Sequence, residues 1–125
     1  LLRSRHTFQL GIAGGAVVDW RYYEVMYTER YMGVRSRDTE KYYVNCDIKK
    51  EWNRLKTPVC LIHCDNDPVV LWQHTLSLLK KANQKSRNGD LIDYYVYPGH
   101  PHNVRGKERV QLIKKIKSLI DRKIK

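Results

Sequence analysis

Acidic residues are scarce in this chain: 13 Asp and Glu stand against 24 Lys and Arg, for a formal net charge of +11. That balance admits nucleic acid or an acidic surface as a partner. The positive residues are spread out, however, and the densest run (Lys114, Lys115, Lys117, Arg122, Lys123, Lys125) is interleaved with apolar residues at helical spacing. A solvated helix face accounts for it, so no nucleic-acid partner is expected. Cysteine is sparse as well. Cys46, Cys60 and Cys64 are odd in number and follow no metal-ligand spacing, so they read as free, structural thiols with no metal or other cofactor implied. No apolar run approaches the roughly 18 residues of a membrane span. These residues are therefore expected to carry neither a span nor a signal peptide, any export signal lying upstream. An initiator Met is missing too, and Leu1-Leu2-Arg3-Ser4-Arg5-His6 reads as the last turn of a helix begun elsewhere. What remains, 125 residues, suffices for one domain with a modest core.

The most informative stretch is Val59-Cys60-Leu61-Ile62-His63-Cys64-Asp65-Asn66-Asp67-Pro68-Val69-Val70. A short apolar run directly after Pro58 that ends in a polar turn predicts a strand buried on both faces of a parallel sheet. Ligands and catalytic groups of open α/β sheets collect outside the carboxyl ends of the strands, which is where Asp67 falls. A second apolar run, Ile92 to Tyr97, ends in Pro98-Gly99-His100-Pro101-His102, a turn carrying imidazoles.

Other segments complete an alternating pattern. Phe8 to Val18, small and β-branched, reads as a strand, its glycines marking close approach of the backbone to a neighbour rather than a dinucleotide fingerprint. Asp19 is placed to cap a following helix, Tyr22 to about Met32, with Tyr23, Tyr27 and Tyr31 along one side. From Gly33 to Thr57 the sequence is polar, with one helical turn expected near Ile48 to Leu55 and Ile48, Trp52 and Leu55 inward. Leu71 to Ala82 predicts an amphipathic helix with Trp72, Leu76, Leu79 and Ala82 on one face. Asn83 to Asp90 is loop by composition. The last helix, from about Glu108, is expected to bury Val110, Ile113, Ile116, Leu119, Ile120 and Ile124. Strands alternating with helices imply right-handed crossovers and a parallel, three-layer αβα architecture.

A His base needs a carboxylate to fix its tautomer and stabilise the imidazolium. Asp67 and His102, after adjacent predicted strands, are placed to meet across the top of the sheet. Asp then His is also the order in which α/β-hydrolases carry the last two members of a Ser-Asp-His triad.

Four motifs, in order and spanning nearly the whole chain, resemble the end of the catalytic domain of the prolyl oligopeptidase (S9) family. They are Ala13-Gly14-Gly15-Ala16-Val17-Val18-Asp19-Trp20; Tyr23 to Tyr27 with Glu29-Arg30-Tyr31; Asn66-Asp67-Pro68-Val69-Val70-Leu71-Trp72-Gln73-His74; and Tyr94 to Val104. The nearest likeness is to bacterial prolyl tripeptidyl peptidases, with dipeptidyl peptidase IV next. The resemblance implies that Asp67 and His102 are triad members, with His100 the weaker candidate imidazole. It further implies that Val17, Trp20, Tyr23, Tyr27 and Val70 wall a pocket for a proline ring, which aromatic faces and β-branched methyls suit.

Two departures qualify it. Val69 stands where dipeptidyl peptidase IV has an Asn, which leans toward the tripeptidyl subgroup. No Gly-x-Ser-x-Gly occurs, and Ser4, Ser36, Ser77, Ser86 and Ser118 lack the flanking glycines of a nucleophile elbow. Residues 1–125 thus read as the C-terminal segment of an α/β-hydrolase catalytic domain, with the elbow and a propeller domain expected upstream. This segment alone is expected to be inactive. The implied partners are a peptide with proline near its N-terminus, the upstream part of the same enzyme, and a second copy of the chain, in a periplasmic or cell-surface setting. The alternatives are a related dipeptidyl peptidase or esterase, or a basic, non-catalytic binding module.

Overall fold

Val59–Cys64 is the middle of three parallel strands, β1 (Gly11–Gly14), β2 (Val59–Cys64) and β3 (Ile92–Tyr97), in the order β1-β2-β3. The computed structural model describes residues 1–3, 7–84 and 86–124. Ser4, Arg5 and His6 of the expected helix tail, Lys85 of the polar loop and Lys125 of the basic run lie outside the described residues. Every residue of β2 is buried, as the unbroken apolar run requires. Strand alternation divides its side chains. Val59 and Leu61 join Trp52, Leu55, Leu78 and Ala82 on one face, while Cys60 and Ile62 join Leu119 on the other.

Among the described residues four α-helices follow the strands: α1 (Val25–Met32), α2 (Glu40–Asn45), α3 (Gln73–Asn83) and α4 (Gly106–Lys123). Leu78 and Ala82 place α3 on the first face of the sheet, and Leu119, with the partly buried Leu112 and Ile116, places α4 on the second. The expected three-layer αβα arrangement is therefore present. Cys60 and Cys64 are buried and free, and burial pushes both thiols up, so they stay protonated. Among the described residues no helix is long and apolar enough to cross a membrane, and no cluster of three metal-ligating side chains occurs.

Several expectations are corrected. Leu1 and Leu2 form no helical turn and instead pack beside the core. The first strand is confined to Gly11–Gly14, because Gly15 turns the backbone out of the ladder at φ 52°. The helix predicted from Tyr22 starts at Val25. A separate 3-10 turn, Trp20–Tyr22, precedes it and is capped by Asp19, while Glu24 caps α1 by accepting from the N–H groups of Met26 and Tyr27. Sequence reading missed α2, which Tyr43 anchors by donating its buried phenol O–H to the Gly33 carbonyl at 2.7 Å. Two 3-10 turns, Ile48–Lys50 and Trp52–Arg54, replace the single helical turn, with Trp52 and Leu55 buried and Ile48 partly buried as expected. Ser86–Leu91 is likewise a 3-10 helix rather than open loop.

Both amphipathic faces also differ from expectation. In α3 the buried residues are His74, Thr75, Leu78 and Ala82, and Leu76 is exposed. Two polar side chains can face the core because each finds an internal partner there: His74 Nδ1 accepts the Val18 N–H at 3.1 Å, and Thr75 Oγ1 lies 2.6 Å from His63 Nδ1. In α4 only Leu119 is buried, and Val110, Ile113, Ile120 and Ile124 face outward. A three-stranded sheet is narrow, and only the side of the helix bearing Leu112, Ile116 and Leu119 rests on it.

Candidate active site

β2 and β3 run in register to their ends, with Cys64 opposite Tyr97, so the loops that follow leave the same edge of the sheet side by side. Asp65 ties them together by accepting the Gly99 N–H at 2.6 Å. Behind that tie lies Asp67, which is 4% exposed. Its Oδ1 accepts the N–H groups of Val69 and Val70 at 2.8 and 2.9 Å, and its Oδ2 lies 2.8 Å from His102 Nδ1. Burial pushes the Asp67 carboxyl up. The bonds from His102, Val70 and Val69 outweigh it and hold the group below its ordinary value. An ionised carboxylate only accepts, so the proton between them sits on Nδ1, and in the neutral ring His102 Nε2 keeps its lone pair. With about a third of its side chain exposed, this imidazole can take a proton from a group that approaches Nε2.

His100, the other imidazole of the turn, is engaged elsewhere. Its Nδ1 accepts the Arg105 N–H at 3.3 Å and its Nε2 lies 3.9 Å from Glu108 Oε2.

The aromatic rings singled out in the sequence form a group of their own. Trp20 stacks on Tyr27 with centroids 6.1 Å apart and planes 6° from parallel, and Tyr23 meets both edge-on at 5.6 Å. Tyr27 is 46% exposed, so the rings present a face rather than fill a core. Below them Asp19, fully buried, bonds Arg21 Nη2 at 2.6 Å and Lys49 Nζ at 2.7 Å, and Asp47 bonds Arg21 Nη2 at 2.8 Å. This ion cluster fixes the turn that carries Trp20. Val17, half-buried, lies between Gly15 and Trp20 in the chain, and Val70 is buried with its N–H on Asp67. The structure thus brings Asp67, His102 and Val70 into one bonded group, and Trp20, Tyr23 and Tyr27 into another.

The profile of the prolyl oligopeptidase family matches residues 1–125. The chain belongs to the prolyl oligopeptidase family. Its parallel sheet and flanking helices are part of an α/β-hydrolase fold. The probable dipeptidyl-aminopeptidase B of Arthroderma otae is 35% identical over 99 residues, which cover 78% of this chain and 10% of that protein. A candidate dipeptidyl aminopeptidase IV from Bacteroides ovatus has a crystal structure that matches with TM-score 0.88 and 38% identity, over 98% of this chain and 17% of its own. Porphyromonas gingivalis dipeptidyl peptidase 4 matches with TM-score 0.90 over 99% of this chain and 17% of its own, at 24% identity, a likeness in fold. The chain spans about a tenth of the length of the curated relatives it matches.

For a member of the prolyl oligopeptidase family, sequence reading left three contributors to the site unassigned. Asp65 is a bare loop carboxylate in the sequence, and His63 sits inside an apolar run where a histidine reads as core. Gly15 reads in the sequence as a position of close approach, with no neighbour identifiable there. The neighbour is the site itself. A Cβ on Gly15 would stand 2.9 Å from His102 Cε1, 3.1 Å from His102 Nδ1 and 3.4 Å from Asp67 Oδ2. Gly15→Ala is therefore expected to push the ring off Asp67 while costing only about 1–2 kcal/mol for the left-handed backbone. A crystal structure of the variant should show the Asp67–His102 bond broken, with the fold intact by circular dichroism.

Proposed function

We propose that the protein carrying this chain is a serine exopeptidase that releases short N-terminal peptides after proline. The observation that supports it best is the 2.8 Å contact between Asp67 Oδ2 and His102 Nδ1 at the carboxyl edge of a parallel sheet. A serine from a segment outside residues 1–125 attacks the scissile carbonyl and gives its proton to His102 Nε2. Asp67, held ionised, stabilises the imidazolium that results. His102 then hands that proton to the departing amine, and water repeats the sequence on the acyl-enzyme with the same base. The chain-borne pair thus moves protons, and the acyl group is carried by the serine. Residues 1–125 alone accordingly turn over no substrate, and the open edge of β1 pairs with the serine-bearing segment or, failing that, with a second copy.

Proline specificity has its own support. The ring of proline is rigid, apolar and without an N–H, and the face made by Trp20, Tyr23 and Tyr27 offers dispersion contacts and demands no hydrogen bond, Val17 and Val70 being added to it by the family resemblance alone. Val69 favours release of tripeptides, whereas the named relatives are dipeptidyl peptidases. Chromogenic peptides with proline second or third from the N-terminus, alanine at the same positions, and free or acetylated amines separate the cases. Cleavage confined to the free-amine proline peptides is expected. Equal cleavage of the alanine peptides would remove the pocket, and cleavage of acetylated peptides would remove the exopeptidase reading.

A further inference from the structure

His63, the penultimate residue of β2, is 1% exposed and takes no part in the chemistry above. Strand alternation turns it toward α3 with Val59 and Leu61. Its Nε2 lies 2.8 Å from the Val70 carbonyl oxygen. A carbonyl only accepts, so Nε2 carries a proton, and in the neutral ring Nδ1 is then an acceptor. Thr75 Oγ1, at 2.6 Å on α3, is the donor that Nδ1 requires. One neutral tautomer therefore satisfies both nitrogens of a buried ring. The partner at Nε2 is what gives this arrangement a consequence. Val70 is held at both of its backbone polar groups, its C=O by His63 and its N–H by Asp67 Oδ1 at 2.9 Å. The same His63 Nε2 stands 3.5 Å from Asp67 Oδ2, the oxygen that accepts the hydrogen bond from His102 Nδ1–H. At that distance, and with its N–H committed to the Val70 carbonyl, it makes no hydrogen bond to the carboxylate.

We propose that His63 is a positioning residue which, acting through Val70, clamps the Asp67 carboxylate so that Oδ2 faces His102. This rests on the reading above that Asp67 and His102 work as a pair, and His63 itself touches no reacting atom. Its loss frees the Val69–Val70 turn, and the carboxylate rotates or shifts with it. A displacement of about 1 Å at a reacting group costs on the order of 100-fold in rate.

The test compares His63→Leu, His63→Gln and Thr75→Val in the complete protein. His63→Leu is expected to lower kcat on a proline peptide by about 10- to 100-fold with KM nearly unchanged. His63→Gln keeps an N–H donor near the Nε2 position and is expected to recover most of that loss. Thr75→Val removes the donor that sets the tautomer and is expected to cost less than His63→Leu, in the same direction. The second measurement is the far-downfield proton resonance of His102 Nδ1–H, the mark of an imidazole bonded to a buried carboxylate. It should broaden or vanish in His63→Leu and persist in His63→Gln. Equal damage from Gln and Leu, or an unchanged resonance in His63→Leu, would overturn the clamp. If His63→Leu does not fold, an unaltered resonance and kcat in Thr75→Val would do the same. A wild-type protein that shows the resonance but cleaves no proline peptide would refute the functional reading and leave the role of His63 to be decided by the resonance.

Discussion

His102→Ala, made in the complete protein, is expected to lower kcat on a proline-containing peptide by about 10⁴- to 10⁶-fold, the range in which triad enzymes lose their base. Asp67→Asn should fall at the lower end, near 10⁴-fold, since an amide leaves the ring in place but favours the wrong tautomer. His100→Ala should change kcat by about twofold or less, because that ring caps the entry to α4 through Arg105 and Glu108 and makes no bond to Asp67. Steady-state rates for the three variants, with circular dichroism to show that each is folded, provide the check. A large loss in His100→Ala with a small one in His102→Ala would mean that the wrong imidazole has been chosen.

The largest effect on stability is expected from Asp19→Ala. Asp19 is fully buried and holds Arg21 and Lys49, whose side chains are 26% and 15% exposed. Removing one partner of a buried ion group strands the others and costs about 3–5 kcal/mol. Arg21 and Lys49 keep Asp47 and some contact with water, so the loss here should lie near 3 kcal/mol. Burial opposes ionisation of Asp19, and the bonds from Arg21 and Lys49 override it, taking the carboxyl well below its ordinary value of 3.8. A depressed folded-state value places this stabilisation above pH 3.8, with loss only as the pH falls further through the folded value. The wild-type advantage in urea midpoint should therefore be full and flat at neutral pH and shrink only in strong acid. A gap that opened or closed between pH 5 and 8 would show that some other group is responsible.

What could be read from the sequence tracks how local each cause is. β2 was legible because burial on both faces writes an unbroken apolar run, and the positions of Asp67 and His102 followed from strand ends. The inward face of α3 was not, because His74 and Thr75 look solvent-facing until Val18 and His63 appear beside them. The exposed ridge on α4 misled for the opposite reason. Apolar residues at helical spacing imply a surface to cover them, and spacing does not report how wide the sheet beneath is. α2 depends on one long-range anchor, Tyr43 on Gly33, within an otherwise polar stretch. The contact of Gly15 with His102 joins positions far apart in sequence, and only the pairing of β1 with β2 brings them together.

The central claim is that Asp67 and His102 activate a serine supplied from outside residues 1–125. Its most direct measurement is the rate at which a fluorophosphonate labels the complete protein, followed by mass spectrometry of the labelled peptide. The expected result is one label, on a serine beyond this segment, at a rate reduced by orders of magnitude in both His102→Ala and Asp67→Asn. Labelling of a serine within residues 1–125, or a labelling rate indifferent to His102→Ala, would contradict it.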